Sequence, residues 1–183
     1  MVWLIVLAVV AFLIFLFVMN TYNSLVKLRN AVKDQWAQVD VLLKRRADLI
    51  PNIVETVKGY ASHEKETLDA VISARNKAVS ASNPYDEMAA KGELTQALGR
   101  LFALTEAYPE LKANVNFMNL QEELKNTEDK ISFARQFYND SVLNYKNKLE
   151  MFPTNIVGNL FGFKPEAFFE ASEADKEVPK VQF

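Results

Sequence analysis

His63 is the only histidine of the chain, and it lies near two carboxylates, Glu64 and Glu66. Imidazole and carboxylate groups are common metal ligands and common partners in acid–base catalysis. A protease-type zinc site needs a second histidine four residues from the first, and the di-iron site of helical bundles needs a glutamate three residues before the histidine. Tyr60 stands at that last position. We therefore predict no metal site, and a solvated or capping role for His63.

Other kinds of catalytic site are equally poorly supported by the residues. The chain has no cysteine, which excludes thiol catalysis, Cys-ligated metal sites and a disulfide framework. No serine stands in a glycine-flanked hydrolase turn, and no glycine-rich phosphate loop is present. The acidic pairs Glu122-Glu123 and Glu128-Asp129 fit the solvated face of a helix better than an acid and base pair. We predict no catalytic residue, no cofactor and no enzymatic activity.

The only basic cluster is Lys44-Arg45-Arg46. The formal net charge is −2, whereas nucleic-acid-binding proteins carry a strongly basic face, so we expect no nucleic-acid partner. Two interpretations of the cluster remain open. The arginines pair with acidic residues such as Asp40 and Asp48 within the fold, which we favour, or the cluster contacts a protein partner or a second protomer. Lys44, Arg45 and Arg46 are therefore candidate contact residues.

A second set of candidate contacts lies in the Phe-rich stretch 152–183, which we interpret as a mostly irregular tail with short helical turns. Its apolar side chains are too many for a free linker. We expect them to dock on the remaining helices; the alternative is a contact with the membrane or with another protomer. The ending Val181-Gln182-Phe183 also has the pattern that adds to the sheet edge of a PDZ-like groove. The candidate contacts of this stretch are Phe161, Phe163, Phe168, Phe169, Val181 and Phe183.

Residues Met1 to Met19 contain no charged, amide or hydroxyl side chain. A helix of ~20 apolar residues crosses the ~30 Å hydrocarbon core of a bilayer with every backbone polar group paired. Trp3 and Tyr22 are about 28 Å apart in such a helix, a separation that places aromatic rings at both interfaces. The alternative is a cleaved secretory signal, but the apolar run is long and lacks a basic leader and a small-residue cleavage site. We predict a retained transmembrane anchor over residues 1–20, with the lipid bilayer as a partner.

The basic residues that follow the span favour one orientation. Lys27, Arg29 and Lys33 lie on its C-terminal side, and no basic residue precedes it. The positive-inside rule then predicts an outside N-terminus and a cytoplasmic remainder.

Apolar spacing beyond the anchor predicts long packed helices. In the first, the apolar residues recur at three- and four-residue steps. Pro51 interrupts that helix, and two interpretations are open. We favour one kinked helix that keeps its phase and runs on through Tyr60, Leu68 and Val71; the alternative is an end near Asp48 and a new helix that Asp48 caps. The predicted seam of the first helix is Leu25, Val32, Trp36, Val39, Leu43, Ile50 and Val57.

Two further helices are predicted after the turn at Pro84, over about Asp86–Tyr108 and Asn116–Glu150. Short connections make neighbouring helices antiparallel. The predicted fold is all-α: a transmembrane helix, then an antiparallel up-and-down bundle of three to four long helices over residues 21–151, then the tail 152–183. The seam of the last helix is Phe117, Leu120, Leu124, Thr127, Ile131, Ala134, Tyr138 and Tyr145.

Two groups of residues resemble the signature of the bacterial LemA family. The first is Tyr22-Asn23, Arg29-Asn30, Trp36-Ala37-Gln38, Asp40, Lys44-Arg45-Arg46, Asp48-Leu49-Ile50-Pro51-Asn52, Val57-Lys58-Gly59-Tyr60-Ala61 and His63-Glu64. The second is Tyr108-Pro109-Glu110-Leu111-Lys112-Ala113-Asn114, Phe117, Leu120, Glu123-Leu124, Thr127-Glu128, Ile131, Arg135, Tyr138-Asn139 and Val178-Pro179. The resemblance covers almost the whole chain in order. It implies a single-pass bacterial membrane protein with an antiparallel helical bundle and a short N-terminus outside, and it implies no enzymatic activity. We expect that membrane to be the bacterial inner membrane.

Three functions follow as hypotheses. We favour a membrane-anchored scaffold whose protomers associate through helix faces that the packing within one chain leaves exposed. Confinement in a membrane raises the effective concentration of the protomers, so weak lateral contacts suffice for association. The alternative is an adaptor that holds another protein, such as a signalling kinase or a protease, at the membrane. An enzyme is the third, and it lacks every expected site.

Overall fold

The fold is described from a computed structural model, which describes residues 1–81 and 84–169. This part of the chain contains six helices and no strand, which confirms the all-α prediction. The helices are α1 Val2–Lys58, α2 Lys65–Ser80, α3 Pro84–Thr105, α4 Pro109–Lys112, α5 Val115–Glu150 and α6 Thr154–Leu160. Val181 and Phe183, two of the predicted contacts, lie outside the described residues.

The helix α1 continues without a break through Pro51, as predicted. Its predicted extension through Tyr60, Leu68 and Val71 is wrong, because α1 ends at Lys58 and α2 begins only at Lys65. Gly59 follows the last helical residue, and glycine is a poor helix former. The backbone there tightens into turns, in which the N–H of Tyr60 donates to the carbonyl of Val57. The apolar residues keep the same spacing on both sides of this turn because α1 and α2 both pack them into one core.

The chain folds as two compact units, and the two longest helices, α1 and α5, each contribute to both. The first unit comprises Met1–Ala37 and Gln136–Phe168. The second comprises Gln38–Arg135 and, of the described residues beyond, Phe169.

In the first unit, the N-terminal part of α1 packs antiparallel to the C-terminal part of α5. The rings of Trp36 and Tyr138 are 5.9 Å apart, and those of Tyr22 and Phe161, which follows α6, are 5.0 Å apart. The start of one helix therefore lies beside the end of the other. The core residues of this unit are Leu25, Val32, Val142, Tyr145 and Val157, all of which are buried.

In the second unit, the C-terminal part of α1 packs with α2, α3, α4 and the N-terminal part of α5. The core contains Ile50, Ile53, Val57, Leu68, Val71, Leu94, Leu101, Leu111, Phe117 and Leu124. Asn114 sets the start of α5, because its Oδ1 accepts a hydrogen bond of 3.0 Å from the N–H of Phe117. The Nδ2 of Asn114 also donates to the Tyr60 hydroxyl at 2.9 Å, which ties the turn after α1 to this cap.

The predicted seam of α5 is confirmed as its inward face: Phe117, Leu124, Thr127, Ile131, Ala134, Tyr138 and Tyr145 are buried and Leu120 is partly buried. The predicted start at Asn116 is one residue late. The predicted helix Asp86–Tyr108 is observed as α3, which ends three residues earlier, at Thr105. There the Thr105 hydroxyl donates to the carbonyl of Phe102, which offers the backbone an alternative to another helical turn.

Candidate functional site

The first part of α1 is one surface with an evident physical role. In the described part of the chain, α1 is the one helix long and apolar enough to cross a membrane, with a mean hydropathy of 3.2 over its most apolar stretch. No side chain of that stretch is buried inside the protein. Apolar residues that the rest of the protein leaves unburied over such a length are typical of a lipid-facing surface. The helix is consistent with a single-pass membrane protein.

The basic cluster is occupied by acidic partners. Lys44 Nζ lies 2.7 Å from Asp40 Oδ2, one turn earlier on α1. Arg45 Nη2 lies 2.7 Å from an oxygen of Glu123, and Arg46 Nη1 lies 2.8 Å from an oxygen of Glu128. Both glutamates belong to α5.

The two arginine pairs differ in burial, although they are neighbours in the sequence. The Arg46 side chain is 2% exposed, so no partner can reach it from outside. The side chains of Arg45 and Glu123 are each about half exposed, at 50% and 45%. Only Lys44 and Arg45 of the predicted cluster are therefore open to a partner, and each already has a carboxylate at hydrogen-bond distance.

The four phenylalanines of the tail that the sequence proposes as contacts fall into two groups. Phe163 and Phe169 are buried. The Arg29 guanidinium lies 5.1 Å from the centre of the Phe163 ring, and that of Arg135 lies 5.3 Å from the Phe169 ring. Such cation–π contacts stabilise a folded arrangement and leave these two rings unavailable to an outside partner.

Phe161 and Phe168 remain partly open. The ring of Phe161 is half-exposed and packs edge-on against Tyr22. Phe168 lies under the Lys146 ammonium, 5.8 Å from Nζ to the ring centre. Of the tail residues proposed as contacts, only Phe161 and Phe168 in the described residues keep an accessible apolar surface.

The side chains that are most exposed around α6 are not among the contact residues predicted from the sequence, although Phe152, Ile156 and Leu160 belong to the apolar side chains of the tail that were expected to dock or to make a contact. The most exposed side chains are Met151, Phe152, Ile156 and Leu160. The spacing does indicate two faces of a helix. Ile156 and Leu160 are four residues apart and share one face, whereas the buried Thr154, Val157 and Gly158 are three and four residues apart and share the opposite one. Recognising these faces requires knowing that residues 154–160 form a helix, which the stretch's prolines and glycines obscured.

Tyr145 is the one titratable group in the described residues with a resolved change in its pKa. Burial raises its pKa above 10.0; the nearby positive charge of Arg29 acts in the opposite direction, and Glu166 adds a smaller increase. Its hydroxyl has no hydrogen-bond partner in the structure. A phenol with a raised pKa stays neutral at physiological pH, so Tyr145 is suited to packing and not to acting as a base.

His63 and the acidic residues form no reactive constellation in the part of the chain that the structure describes. His63 is exposed in the turn between α1 and α2. Over residues 1–81 and 84–169, no group of three or more His, Cys, Asp or Glu side chains is arranged to hold a metal ion. Glu64 instead accepts a long hydrogen bond, 3.4 Å, from the Tyr108 hydroxyl. The chemistry that these residues offer is structural.

Each unit also leaves one large aromatic side chain of α5 in solvent. Phe133 in the second unit is 62% exposed, and Phe137 in the first unit is 60% exposed. Exposed rings of this size on an otherwise amphipathic helix are typical of contact surfaces.

Comparison with known proteins gives the following matches. The model of the LemA family matches residues 35–183. The chain is similar to the protein LemA of Metamycoplasma hominis, with 26% identity over 158 residues that cover 84% of this chain and 71% of that protein. It is also similar to the magnetosome protein MamQ 2 of Paramagnetospirillum magneticum, with 25% identity over 195 residues that cover 92% of this chain and 71% of that protein. The magnetosome protein MamQ of Magnetospirillum gryphiswaldense matches with 24% identity over the same coverage. None of these names is that of an enzyme.

Proposed function

Because the chain belongs to the LemA family, we propose that it is a membrane-anchored, non-enzymatic scaffold whose copies associate with one another and organise the membrane that holds them. The observation that carries the proposal is the distribution of exposed and buried apolar residues along α1 within the first unit. None of the apolar residues of α1 up to Met19 is buried, and all but Leu16 and Val18 are exposed, whereas Leu25 and Val32 on the same helix are buried in the core of that unit. The anchor and the folded part therefore share one helix.

A shared helix has a consequence for association. Only five residues separate Met19 from the first fully buried core residue, Leu25, and they are helical. At ~1.5 Å per residue the folded part begins about 9 Å from the end of the span. Every copy then presents the same faces at the same height above one membrane. Such confinement raises the effective concentration of the copies, so that weak lateral contacts suffice for assembly.

Phe133 and Phe137 are the side chains that we assign to these lateral contacts. Each is more than half exposed in its own unit, and transfer of a phenylalanine side chain from water into an interface is worth ~2 kcal/mol. Aromatic rings are enriched in protein interfaces. A second copy of this chain, tied to the same membrane, is the partner that the proposal names.

The proposal includes a location in the bacterial inner membrane, with the N-terminus outside and the helices after the span in the cytoplasm. Lys27, Arg29 and Lys33 support it, because basic residues next to a span are retained on the cytoplasmic side. The chain has no cysteine, so a single introduced thiol reports its side of the membrane without background. In intact cells, a membrane-impermeant maleimide should label Val2→Cys and should label Ser73→Cys only after lysis. Labelling of Ser73→Cys in intact cells would contradict the orientation.

Cross-linking of the full chain in its own membrane tests the scaffold. We expect a ladder of self-linked species, which weakens in Phe133→Ser and in Phe137→Ser and is kept in Gln136→Ser, a neighbouring exposed position on α5. A single monomer band in the membrane, together with a monomer at every concentration in detergent, would disprove self-association. Linkage to one dominant other protein, released by Arg45→Glu, would instead favour the adaptor and contradict the scaffold.

A further inference from the structure

The region around α6 carries an unusual apolar surface. Five side chains there are between 49% and 80% exposed, and we call them the α6 patch: Met151, Phe152, Ile156, Leu160 and Phe161. All five belong to the first unit. The stretch 151–163 contains no charged residue. An exposed apolar surface without charges on a folded unit is typical of a site that contacts a membrane or another protein.

The helix α6 carries apolar side chains on both its inner and its outer face, and Asn159 is its one exposed polar side chain. Its inner face carries Val157 and Gly158, which are buried. A Cβ placed at Gly158 would lie 3.0 Å from Leu149 Cδ2 and 3.8 Å from Leu25 Cδ1, so α6 rests closely on α5 and α1. A surface helix in water normally turns polar residues outward, but α6 turns Ile156 and Leu160 outward. The outer face is therefore built for a second apolar environment.

The position of the patch identifies that environment. The ring of Phe161 lies 5.0 Å from the ring of Tyr22. Tyr22 is three helical residues beyond Met19, which is about 4.5 Å along the axis at ~1.5 Å per residue. The patch thus adjoins the end of the apolar span, at the height where a tyrosine ring meets the lipid headgroups.

We propose that the α6 patch is a second membrane contact, through which the first unit rests on the bilayer that its own span crosses. The inference deepens the proposed function and depends on its membrane anchor. A lipid surface fits better than a second copy, because the bilayer meets every copy at this level and because the patch and its surroundings over 151–163 offer no charge to define a protein partner. Phenylalanine and aliphatic side chains of short interfacial helices insert to the boundary between headgroups and acyl chains.

The contact can be measured on the full chain. Ile156→Cys and Leu160→Cys are made singly, labelled with a polarity-sensitive fluorophore, and reconstituted into phosphatidylcholine vesicles with and without lipid that carries a nitroxide near the headgroup. We expect a blue shift of the emission and a loss of intensity on addition of the nitroxide lipid. The matched control is Gln136→Cys, an exposed position of the first unit that is not assigned to the lateral contacts. It lies fifteen residues before Met151, about 22 Å at ~1.5 Å per residue along α5, and should keep an unquenched, water-like emission.

Flotation of the same vesicles separates the two claims. Protein that floats with the lipid while the labels at 156 and 160 are neither shifted nor quenched would overturn the second contact and leave the anchor standing. Disulfide linkage of two copies through Leu160→Cys, without quenching by the lipid, would overturn it in favour of a protomer interface. Protein that stays at the bottom of the gradient would contradict the anchor and, with it, the contact.

Discussion

Arg75 Nε donates a hydrogen bond of 3.1 Å to the backbone carbonyl of Ala47. Ala47 is the residue four before Pro51, and a helical carbonyl at that position normally accepts from the N–H of the later residue. Proline has no N–H, so the carbonyl of Ala47 would lack its intrahelical partner. Arg75 supplies the missing donor from α2, and we infer that this bond helps α1 to continue through Pro51.

The first prediction concerns this bond. Arg75→Met keeps most of the side-chain volume and removes the donor, so we expect the free energy of unfolding to fall by about 1–2 kcal/mol. Pro51→Ala restores the N–H and should stabilise the protein. In the Pro51→Ala background, Arg75→Met should cost less than about half a kcal/mol, because Ala47 then has a partner within its own helix. Thermal and denaturant unfolding of the full chain in detergent, followed by circular dichroism, measures all four proteins.

Lys77→Met is the control for that cycle. Lys77 lies on the same helix, and its ion pair with Glu93 is largely exposed, so its removal should change stability by less than about 1 kcal/mol in either background. Equal costs of Arg75→Met with and without Pro51 would show that the arginine acts through its other contacts. One of these contacts is with Asp48, whose Oδ1 lies 4.0 Å from Arg75 Nη2.

The same region shows what a sequence can and cannot predict. Local spacing predicted the continuation through Pro51 and the buried face of α5, because a helix repeats every 3.6 residues whatever surrounds it. It did not predict the end of α1 at Lys58, because two helices that face one core keep the same phase as a single helix. Neither could it separate Arg46 from Arg45. Arg46 is buried and Arg45 half exposed, and their partners Glu128 and Glu123 lie more than seventy residues later, beyond the reach of local spacing.

The tail shows the same limit. Its richness in phenylalanine was visible, but which rings are covered depends on Tyr22 and Arg29, far away in the sequence. The surface that we assign to the membrane is made largely by Phe152, Ile156 and Leu160, whereas the contact residues predicted from the sequence share only Phe161 with it. Packing against residues distant in the sequence determines which apolar side chains of the tail are buried and which are exposed.

The second prediction uses the two neighbouring arginines as a matched pair. Glu128→Leu leaves Arg46 as a buried and unpaired cation, and we expect a loss of at least about 2 kcal/mol in the free energy of unfolding. Glu123→Leu leaves Arg45 half in solvent, where water replaces the carboxylate, and should cost less than about 1 kcal/mol. Because both pairs join α1 to α5, the difference between the two losses measures the effect of burial on the free energy of unfolding.

A double variant sharpens that test. Arg46→Met in the Glu128→Leu protein removes the stranded charge and should recover most of the lost stability. Denaturant unfolding of the single and double variants in detergent gives the coupling free energy. If the two glutamate variants lost equal stability, or if Arg46→Met deepened the loss, the buried pair would not be acting through its charge.

The third prediction compares two buried tyrosines of α5 in the first unit. The Tyr138 hydroxyl donates a 2.8 Å hydrogen bond to the carbonyl of Ala167, whereas the Tyr145 hydroxyl has no partner in the structure. Tyr138→Phe should lower the free energy of unfolding by about 1 kcal/mol, and Tyr145→Phe should leave it unchanged or raise it. The midpoints of thermal unfolding distinguish the two. A loss for Tyr145→Phe as large as that for Tyr138→Phe would mean that the Tyr145 hydroxyl is bonded in solution.

The fourth prediction follows from the raised pKa of Tyr145, whose main cause is burial of the ring. Well below pH 10 the phenol is protonated in both the folded and the unfolded chain, so it contributes no pH dependence there. Above that pH the unfolded chain loses the proton first, and the folded chain binds more protons than the unfolded one. The free energy of unfolding must then fall as pH rises towards the folded pKa. Tyr145→Phe removes this contribution and leaves every other side chain of the protein in place. Measured from pH 8 to about pH 11, the free energy of unfolding of Tyr145→Phe relative to that of the parent should be constant up to about pH 9 and should increase beyond it. Parallel curves over the whole range would show that the phenol ionises equally easily in the folded protein.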